Sequence, residues 1–341
     1  MTEKRLIKSL TENKILFKAY IKLMGDASTR VYYRISLEDN FTSEKTFIAM
    51  VLPQKVEVNE KGNTSFIKEE PFINLHRYLI KSDLNIPEIY LNDEMNRVVL
   101  LEDLGDLTLY KLINAENRND LENKYKKAID ELIIFQNYTL NNENNDVYAF
   151  KRSFDKDTLK WELEHFVEWR LNKGVGIKLS ENNMKIIDRY FEDIVKKLIK
   201  LPQIIVHRDY QSKNIMIKDN KYYLIDFQDA LIGSYVYDLV ALLKDSYVEL
   251  SEDFVINILK YYIKKKKEKS NIEYDFNKLY EDFKLQAIQR KLKDTGRFHF
   301  IDIVRNNSSF LEYLPLSKRY VRDYLIDLYP ELYEIFQDAL K

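Results

Sequence analysis

The chain has 341 residues, enough for one large domain or two lobes, and its 45% hydrophobic and 32% charged residues are typical of a folded globular protein. Its net charge of −1 gives no overall basic field to attract nucleic acid or an anionic membrane, and no apolar run reaches the ~18–20 residues of a membrane span. The absence of cysteine excludes disulfides, thiolate metal sites and thiol nucleophiles.

The N-terminal segment interrupts its apolar residues with charges, which is unlike a secretory signal. We therefore expect a cytoplasmic protein. We also expect a monomer that binds neither nucleic acid nor a membrane. The basic run at residues 264–267 has no interleaved aromatic residues, and we interpret it as solvated surface.

The first third of the chain mixes helical and strand-like patterns. Residues 3–23 place apolar side chains at close to helical spacing, which predicts a first helix. Another helix is predicted to begin at Pro71, because proline is tolerated at the first helical position. Runs rich in β-branched and aromatic residues predict strands at residues 31–35, 46–51, 87–91 and 97–101.

From residue 108 onward the apolar spacing is almost wholly helical. The predicted helices cover residues 107–114, 119–137, 157–171, 181–200, 234–249, 251–264, 275–296 and 316–338. The pattern therefore predicts an α+β fold. A small β-rich N-lobe is expected over residues 1–104, and a large, mainly helical C-lobe over residues 105–341.

The centre of the chain carries an ordered set of polar residues. An apolar run at residues 204–206 leads into the tripeptide His-Arg-Asp that ends at Asp209, and Asn214 follows five residues later. Two further apolar runs around a polar turn predict a β-hairpin, which ends at Asp226. This order is the phosphoryl-transfer arrangement H-R-D-x-x-x-x-N followed by D-F-x.

Phosphoryl transfer from ATP needs mainly positioning and charge stabilisation. Asp209 is the candidate for the carboxylate beside the attacking hydroxyl. Asn214 and Asp226 supply hard oxygen ligands of the kind that Mg²⁺ prefers, and the predicted hairpin returns the second beside the first. Taken singly, an aspartate or asparagine before a strand is usually a cap or turn residue. The ordered set on a strand–turn–strand favours the catalytic interpretation.

Four neighbours of this set have roles that the pattern leaves more open. We interpret His207 as a structural brace for the loop, and Asp238 as a buried capping or bracing group. Asp229 has two interpretations, a contact to metal or substrate and a turn or cap residue. Arg208 is a candidate for substrate binding, although the fold does not demand a charge at this position.

The motifs resemble the aminoglycoside phosphotransferase and choline kinase-like family. Within it they are most similar to the anomeric sugar kinases that phosphorylate N-acetylmuramate and N-acetylglucosamine at C1 in cell-wall recycling. The matching segments are residues 25–28 with Arg30, 33–34, 100–106, 207–210 with Asn214, 225–230, 237–240 and 243–245, and more weakly 289–293. The resemblance covers about residues 24 to 325, nearly the whole chain.

This resemblance implies a bilobal protein-kinase-like fold, ATP and Mg²⁺ as cofactors, and a small-molecule sugar as the partner. It implies that adenine is bound through backbone groups of Glu102 and Leu104. It further implies that the phosphates contact Asp26, Ala27 and Ser28, and that the sugar binds over the helical lobe.

One departure from the general kinase pattern concerns charge. The strand at residues 46–51 contains no lysine to pair with the α- and β-phosphates. Arg30 or Arg34 is a candidate for that missing charge, and an exposed strand arginine without a ligand is an equal alternative. Arg290 is a candidate for binding an acidic substrate group such as a lactyl carboxylate, with an intramolecular salt bridge as its alternative.

Other functions remain open at this point. An aminoglycoside, choline or another metabolite is the alternative acceptor, because substrate choice is not set by the fold. From a different class, a non-catalytic nucleotide-binding scaffold is an alternative, although the three catalytic positions hold competent residues. A protein kinase is disfavoured, because the interval between Asp226 and Asp238 is too short for an activation segment.

Overall fold

The computed structural model describes residues 2–23, 30–38, 45–53, 69–115 and 120–341. The predicted phosphate contacts Asp26, Ala27 and Ser28 lie outside the described residues. The chain divides into two compact units. The first, here called the sheet unit, is Met1–Glu70, Asn85–Leu107 and Met216–Ile225, and the second, the helical unit, is Pro71–Leu84, Thr108–Ile215 and Asp226–Lys341. Each unit draws on several segments of the chain. The predicted lobes, with a single boundary after residue 104, stay a prediction.

The sheet unit contains a five-stranded antiparallel sheet with the strand order β1-β2-β3-β5-β4. Its strands are β1 (Phe17–Lys22), β2 (Val31–Leu37), β3 (Thr46–Val51), β4 (Ile89–Asp93) and β5 (Val98–Glu102). Helix α1 (Thr2–Glu12) buries Leu6 and Leu10 in one core with Ile35 and Ala49 of the strands. The four predicted strands are confirmed.

The prediction of a helix over residues 3–23 is wrong beyond Glu12. The helix ends there, Lys14 adopts a left-handed φ of 57°, and β1 follows. Strand β1 pairs with β2, with Tyr20 opposite Ile35, and only Phe17 and Tyr20 of its residues are partly buried. The half-buried residues of β1 lie three positions apart, which is not the period of two expected for a strand, so pairing with β2 overrides the local pattern.

The helical unit is built mainly from ten helices within the described ranges. These are α2 (Pro71–Leu79), α3 (Leu109–Ala115), α4 (Leu121–Asn141), α5 (Lys156–His165), α6 (Glu181–Leu198), α7 (Tyr237–Leu243), α8 (Glu252–Ser270), α9 (Phe276–Arg305), α10 (Leu314–Leu328) and α11 (Pro330–Leu340). A π-helix, Phe166–Val175, continues α5. In the described parts of the chain, no helix combines the length and the apolarity needed to cross a membrane.

Two short pairs of strands flank the central polar residues along the chain. Strand β6 (Gln203–Val206) pairs with β9 (Leu231–Ser234), and β7 (Ile215–Lys218) with β8 (Lys221–Leu224). The second pair is the predicted hairpin, which is therefore confirmed. Strand β9 was not predicted, because its four residues become a strand only by pairing with β6.

The helix predicted over residues 316–338 is two helices, α10 and α11. The break falls at Pro330, which begins α11. Proline has no backbone N–H and its ring clashes with the preceding turn, so a helix does not continue through it unchanged.

Helix α9 runs through the interior of the helical unit and lies against the end of α5. At Gly296 the two backbones approach so closely that an added Cβ would lie 2.8 Å from the carbonyl oxygen of His165 and 2.9 Å from the Cα of Phe166. Glycine thus permits the direct packing of α9 on α5.

This contact predicts an unusual response to alanine. In a helix interior, alanine normally stabilises relative to glycine by about 1 kcal/mol. We expect Gly296→Ala instead to lower the free energy of unfolding by about 1–3 kcal/mol, because backbone atoms must move aside. Calorimetric melting measures this. Lys185→Ala, at an exposed position of α6, is the control. A melting temperature of Gly296→Ala at or above the wild-type value would contradict the expectation.

Candidate active site

The loop after β6 is held in a strained conformation by a buried carboxylate. Arg208 has a left-handed φ of 77°, which costs an L-residue about 1–2 kcal/mol. Asp238, on the first turn of α7 and 0% exposed, accepts hydrogen bonds from the backbone N–H of His207 at 2.7 Å and of Arg208 at 3.0 Å. These two hydrogen bonds are the contacts expected of the bracing group predicted at Asp238.

Arg290 of α9 holds the other side of the same peptide segment. Its Nη1 donates to the carbonyl oxygen of Arg208 at 2.7 Å, and its Nη2 lies 3.4 Å from Oδ1 of Asp209. The guanidinium also lies over the ring of Tyr237, 4.9 Å from the ring centroid. Arg290 is 1% exposed. The salt-bridge alternative is therefore realised, and a substrate contact for Arg290 stays a prediction.

Asp209 presents an ionised carboxylate. Its side chain is 37% exposed. Burial opposes ionisation, but the charges of Arg290, Lys293 and Arg208 outweigh it and lower the pKa of Asp209 below its ordinary value. At neutral pH the carboxylate is therefore charged and can accept a hydrogen bond or a proton from a substrate hydroxyl.

Asn214 is oriented by the same loop. Its Nδ2 donates to the carbonyl oxygen of Asp209 at 2.9 Å, which leaves the amide oxygen as the acceptor end of the side chain. The preceding turn is held by Asp245, which accepts from the Oγ of Ser212 at 2.6 Å and from its backbone N–H at 2.9 Å. A hydrogen bond between the Asn214 side chain and the Asp209 backbone thus links two of the predicted site residues.

Asp226 follows the β7–β8 hairpin in a left-handed conformation with φ 64°. Its Oδ1 accepts from Nε2 of Gln228 at 2.6 Å. Phe227 is fully buried and stacks on Phe72 of α2 at 5.0 Å between ring centroids. The burial of Phe227 anchors the segment, and the hydrogen bond from Gln228 orients the Asp226 side chain.

The side-chain oxygens of Asn214 and Asp226 are of the kind that bind a magnesium ion. Among the described residues, no group of three histidine, cysteine, aspartate or glutamate side chains is arranged to hold a metal. Mg²⁺ in phosphoryl-transfer sites is usually held by one or two carboxylates together with phosphates and water. One carboxylate from Asp226 and one amide oxygen from Asn214 suit that coordination.

Asp229 lies between two arginines. Its Oδ1 is 3.8 Å from Nη1 of Arg152 and 4.0 Å from Nη1 of Arg208. Arg152 also donates to the carbonyl oxygens of Gln228, at 3.1 Å, and Ala230, at 2.9 Å. Asp229 is thus part of a charged cluster beside the loop.

Two residues of the site were missed by sequence reasoning. Arg152 lies far from its partners along the chain, and no local pattern distinguishes it. Lys293 lies three residues after Arg290 on α9, so helical periodicity alone would have placed both on one face.

The predicted adenine-binding segment lies in the sheet unit, where two cations hold it. Arg34 of β2 pairs with Asp103, with its Nε 2.6 Å from Oδ2, and with Asp106, with its Nη2 3.0 Å from Oδ1. Lys218 of β7 pairs with Glu102 at 2.7 Å. The guanidinium of Arg34 is thus paired with Asp103 and Asp106, and a phosphate contact for it stays a prediction.

The remaining nucleotide-binding candidates are also in the sheet unit. Leu104 is buried, and Arg30 directly precedes β2 and is partly buried. Contacts of Arg30, Glu102 and Leu104 with a nucleotide stay predictions.

Solved structures define the class of fold. A choline kinase from Cryptosporidium parvum Iowa II superposes with a TM-score of 0.64 at 12% identity, over 95% of this chain and 96% of that one. The ADP-bound aminoglycoside phosphotransferase APH(2'')-Ib superposes with a TM-score of 0.56 at 18% identity, over 94% and 100%. Likeness at these identities shows the fold. The predicted α+β, kinase-like fold is confirmed.

Sequence comparison gives the family. A model described as the phosphotransferase enzyme family matches residues 21–273. The N-acetylmuramate/N-acetylglucosamine kinase of Pseudomonas aeruginosa is 30% identical over 269 residues, which are 78% of this chain and 75% of that protein. The chain belongs to the phosphotransferase enzyme family and is a small-molecule kinase.

The contact between Arg290 and Asp209 predicts a change in the pH dependence of activity. Removing the guanidinium charge in Arg290→Gln raises the pKa of Asp209, since this charge is the largest influence that lowers it. If ionised Asp209 is needed, the acid limb of the kcat/KM profile moves to higher pH.

The measurement is the pH profile of Arg290→Gln beside that of Arg322→Gln, a partly exposed arginine of α10. Melting curves establish that both variants are folded. An acid limb at the wild-type pH in folded Arg290→Gln would contradict the electrostatic role.

Proposed function

We propose that this kinase transfers the γ-phosphate of ATP to the anomeric hydroxyl of N-acetylmuramate or N-acetylglucosamine, as a monomer in the cytoplasm and within cell-wall recycling. The family and the activity named for the Pseudomonas relative support this acceptor. The charges around Asp209 support it independently.

The observation that carries the proposal is the positive surroundings of the general-base candidate. The charges that act most strongly on Asp209 are those of Arg290, Lys293 and Arg208. An aminoglycoside carries several ammonium groups, and like charges brought together in a partly buried site repel. A neutral sugar suits these surroundings, and a sugar acid with a carboxylate suits them better.

We assign Asp209 the role of orienting the anomeric hydroxyl and accepting its proton. This hydroxyl is more acidic than an ordinary alcohol, so a carboxylate with a lowered pKa is a sufficient base. Asn214 and Asp226 would hold Mg²⁺, which neutralises phosphate charge when bound. Arg208 and Asp229 are the candidates for acceptor binding, since both side chains are partly exposed beside the base.

For the nucleotide, we assign adenine to the backbone of Glu102 and Leu104, and the phosphates to Arg30 and residues 26–28. Arg30 takes the place of the lysine that β3 lacks, because Arg34 is paired with Asp103 and Asp106.

Arg30→Ala should therefore raise the KM for ATP by about 10- to 100-fold, the cost of one charge-assisted hydrogen bond to phosphate. Steady-state kinetics with ATP varied at saturating acceptor measures this. Arg189→Ala, an exposed arginine of α6, is the control. An unchanged KM for ATP and an unchanged kcat would remove Arg30 from the nucleotide site.

The acceptor is tested by incubating the protein with Mg-ATP and N-acetylmuramate, N-acetylglucosamine, an aminoglycoside or choline, and recording phosphorus NMR spectra. We expect a product whose phosphorus couples to the C1 proton of the sugar. Asp209→Asn should lose about 10²- to 10⁴-fold in kcat and keep its affinity for ATP.

Three results would count against the proposal. A phosphate on C6 or on an aminoglycoside would replace the proposed acceptor. An active Asp209→Asn variant would remove the base. ATP binding without turnover on any compound would favour the non-catalytic scaffold.

A further inference from the structure

Three tyrosine rings surround the ammonium group of Lys213. The Nζ lies 3.7 Å from the ring centroid of Tyr247, 4.6 Å from that of Tyr313 and 5.4 Å from that of Tyr110. It also donates a hydrogen bond to the hydroxyl of Tyr313 at 3.2 Å. We call Tyr110, Tyr247 and Tyr313 the tyrosine cage.

The rings of the cage hold one another as well as the lysine. Those of Tyr247 and Tyr313 meet edge to face, with centroids 4.6 Å apart and planes at 89°, and Tyr110 meets Tyr247 at 6.3 Å and 71°. Such edge-to-face pairs are the preferred geometry of aromatic contacts. Tyr110 belongs to α3, and Tyr313 lies directly before α10. The cage therefore ties the lysine to distant elements of the helical unit.

The cage and a buried carboxylate share a hydrogen bond. The backbone N–H of Tyr247 donates to Oδ1 of Asp245 at 3.1 Å, and Oδ2 of Asp245 accepts from Ser212. Asp245 is 0% exposed. Consecutive loop residues, Ser212 and Lys213, are thus fixed by one connected group.

The place of Lys213 in the chain gives this group a consequence for the reaction. Lys213 directly precedes Asn214, whose side chain is bonded to the carbonyl oxygen of Asp209. The segment held by the cage therefore runs between the base and the first metal ligand of the proposed mechanism. A rotation of the Lys213 backbone would turn the Asn214 amide away from its present direction.

We propose that Lys213 is a positioning residue, held by the tyrosine cage, which orients Asn214 to receive the metal–nucleotide complex. This inference rests on the proposed role of Asn214. An aromatic cage of this kind is the usual receptor for a quaternary ammonium, and here the chain's own ammonium fills it. A choline-like head group then has no place in this cage.

A second lysine offers a structural comparison. Lys244 lies 4.7 Å and 5.1 Å from the ring centroids of Tyr320 and Tyr324, and pairs with Glu252 at 2.5 Å. It follows α7 rather than belonging to the catalytic loop. Lys244→Met therefore removes a buried, tyrosine-bound ammonium without touching Asn214, and it controls for loss of stability alone.

The test measures metal–nucleotide binding separately from sugar turnover. Mn²⁺ with ATP is titrated into the protein and followed by calorimetry, and kcat is then measured as a function of Mg²⁺ concentration. For Lys213→Met we expect Mn·ATP affinity to fall about tenfold and the Mg²⁺ requirement to rise, because a desolvated cation–π cage is lost. Lys213→Arg should restore both quantities, and Lys244→Met should change only the melting temperature.

Variants of the cage test the route by which the lysine acts. Tyr247→Leu removes the nearest ring and should reproduce Lys213→Met. The double variant should be no worse than either single variant, because both remove the same interaction. Tyr313→Phe keeps the ring and loses only the hydroxyl, so its effect should be small. In Lys213→Ala, added ethylammonium should recover part of the Mn·ATP affinity.

Wild-type Mn·ATP affinity and Mg²⁺ dependence in folded Lys213→Met would overturn the inference, as would equal losses in Lys244→Met. If Lys213→Met does not fold, Tyr247→Leu and the ethylammonium titration decide the question by the same readouts. The acceptor can fail separately: wild-type protein that binds Mn·ATP but phosphorylates neither sugar would refute the proposed function and leave the role of Lys213 standing.

Discussion

The site depends on two buried side chains, Asp238 and Arg290, that hydrogen-bond to the backbone of the loop at Arg208. Asp238 accepts a hydrogen bond from the backbone N–H of Arg208, and Arg290 donates one to the carbonyl oxygen of the same residue. Between them they hold a left-handed residue that would otherwise relax. Burial raises the pKa of Asp238 to about 7, although its two backbone hydrogen bonds favour the charged form. The direction of Asp209 follows from this clamp.

Helix α9 supplies Arg290, one of the two charges of the clamp, and the charges behind it. Besides Arg290, it buries Lys291, whose Nζ donates to Oγ of Ser246 at 2.8 Å and to Asp294 at 2.9 Å. A buried charge costs several kcal/mol unless it is paired, and removing one partner costs about 3–5 kcal/mol. The paired charges therefore restrict how α9 can sit within the helical unit. The close approach at Gly296 restricts it further, and the guanidinium of Arg290 is thereby aimed at the loop.

The same fold serves enzymes named for choline and for aminoglycosides, so the acceptor must be set by local chemistry. Here the charges that act most strongly on Asp209 are positive. Arg290 lies 3.4 Å from Asp209, and the charges of Lys293 and Arg208 also act on this carboxylate. These positive charges support the neutral or acidic acceptor that we propose over a cationic one, because like charges repel.

The sequence by itself determined the class of chemistry and the elements next to it. Asp209, Asn214 and Asp226 were predicted from their order and spacing, and the hairpin between the last two is present. Strand β3 has the predicted bounds. These features depend on short stretches of chain, where the order of residues and the alternation of apolar side chains are sufficient. Family membership follows from the same motifs.

Only the tertiary structure decided which distant residues meet. Arg290 reaches Asp209 from 81 positions further along the chain, and Arg152 reaches the loop from a segment without any motif. Residues 17–22 became a strand instead of a helix because β2 was available to pair with them. Contacts of this kind depend on the packing of whole elements, which the local pattern of a single sequence does not contain.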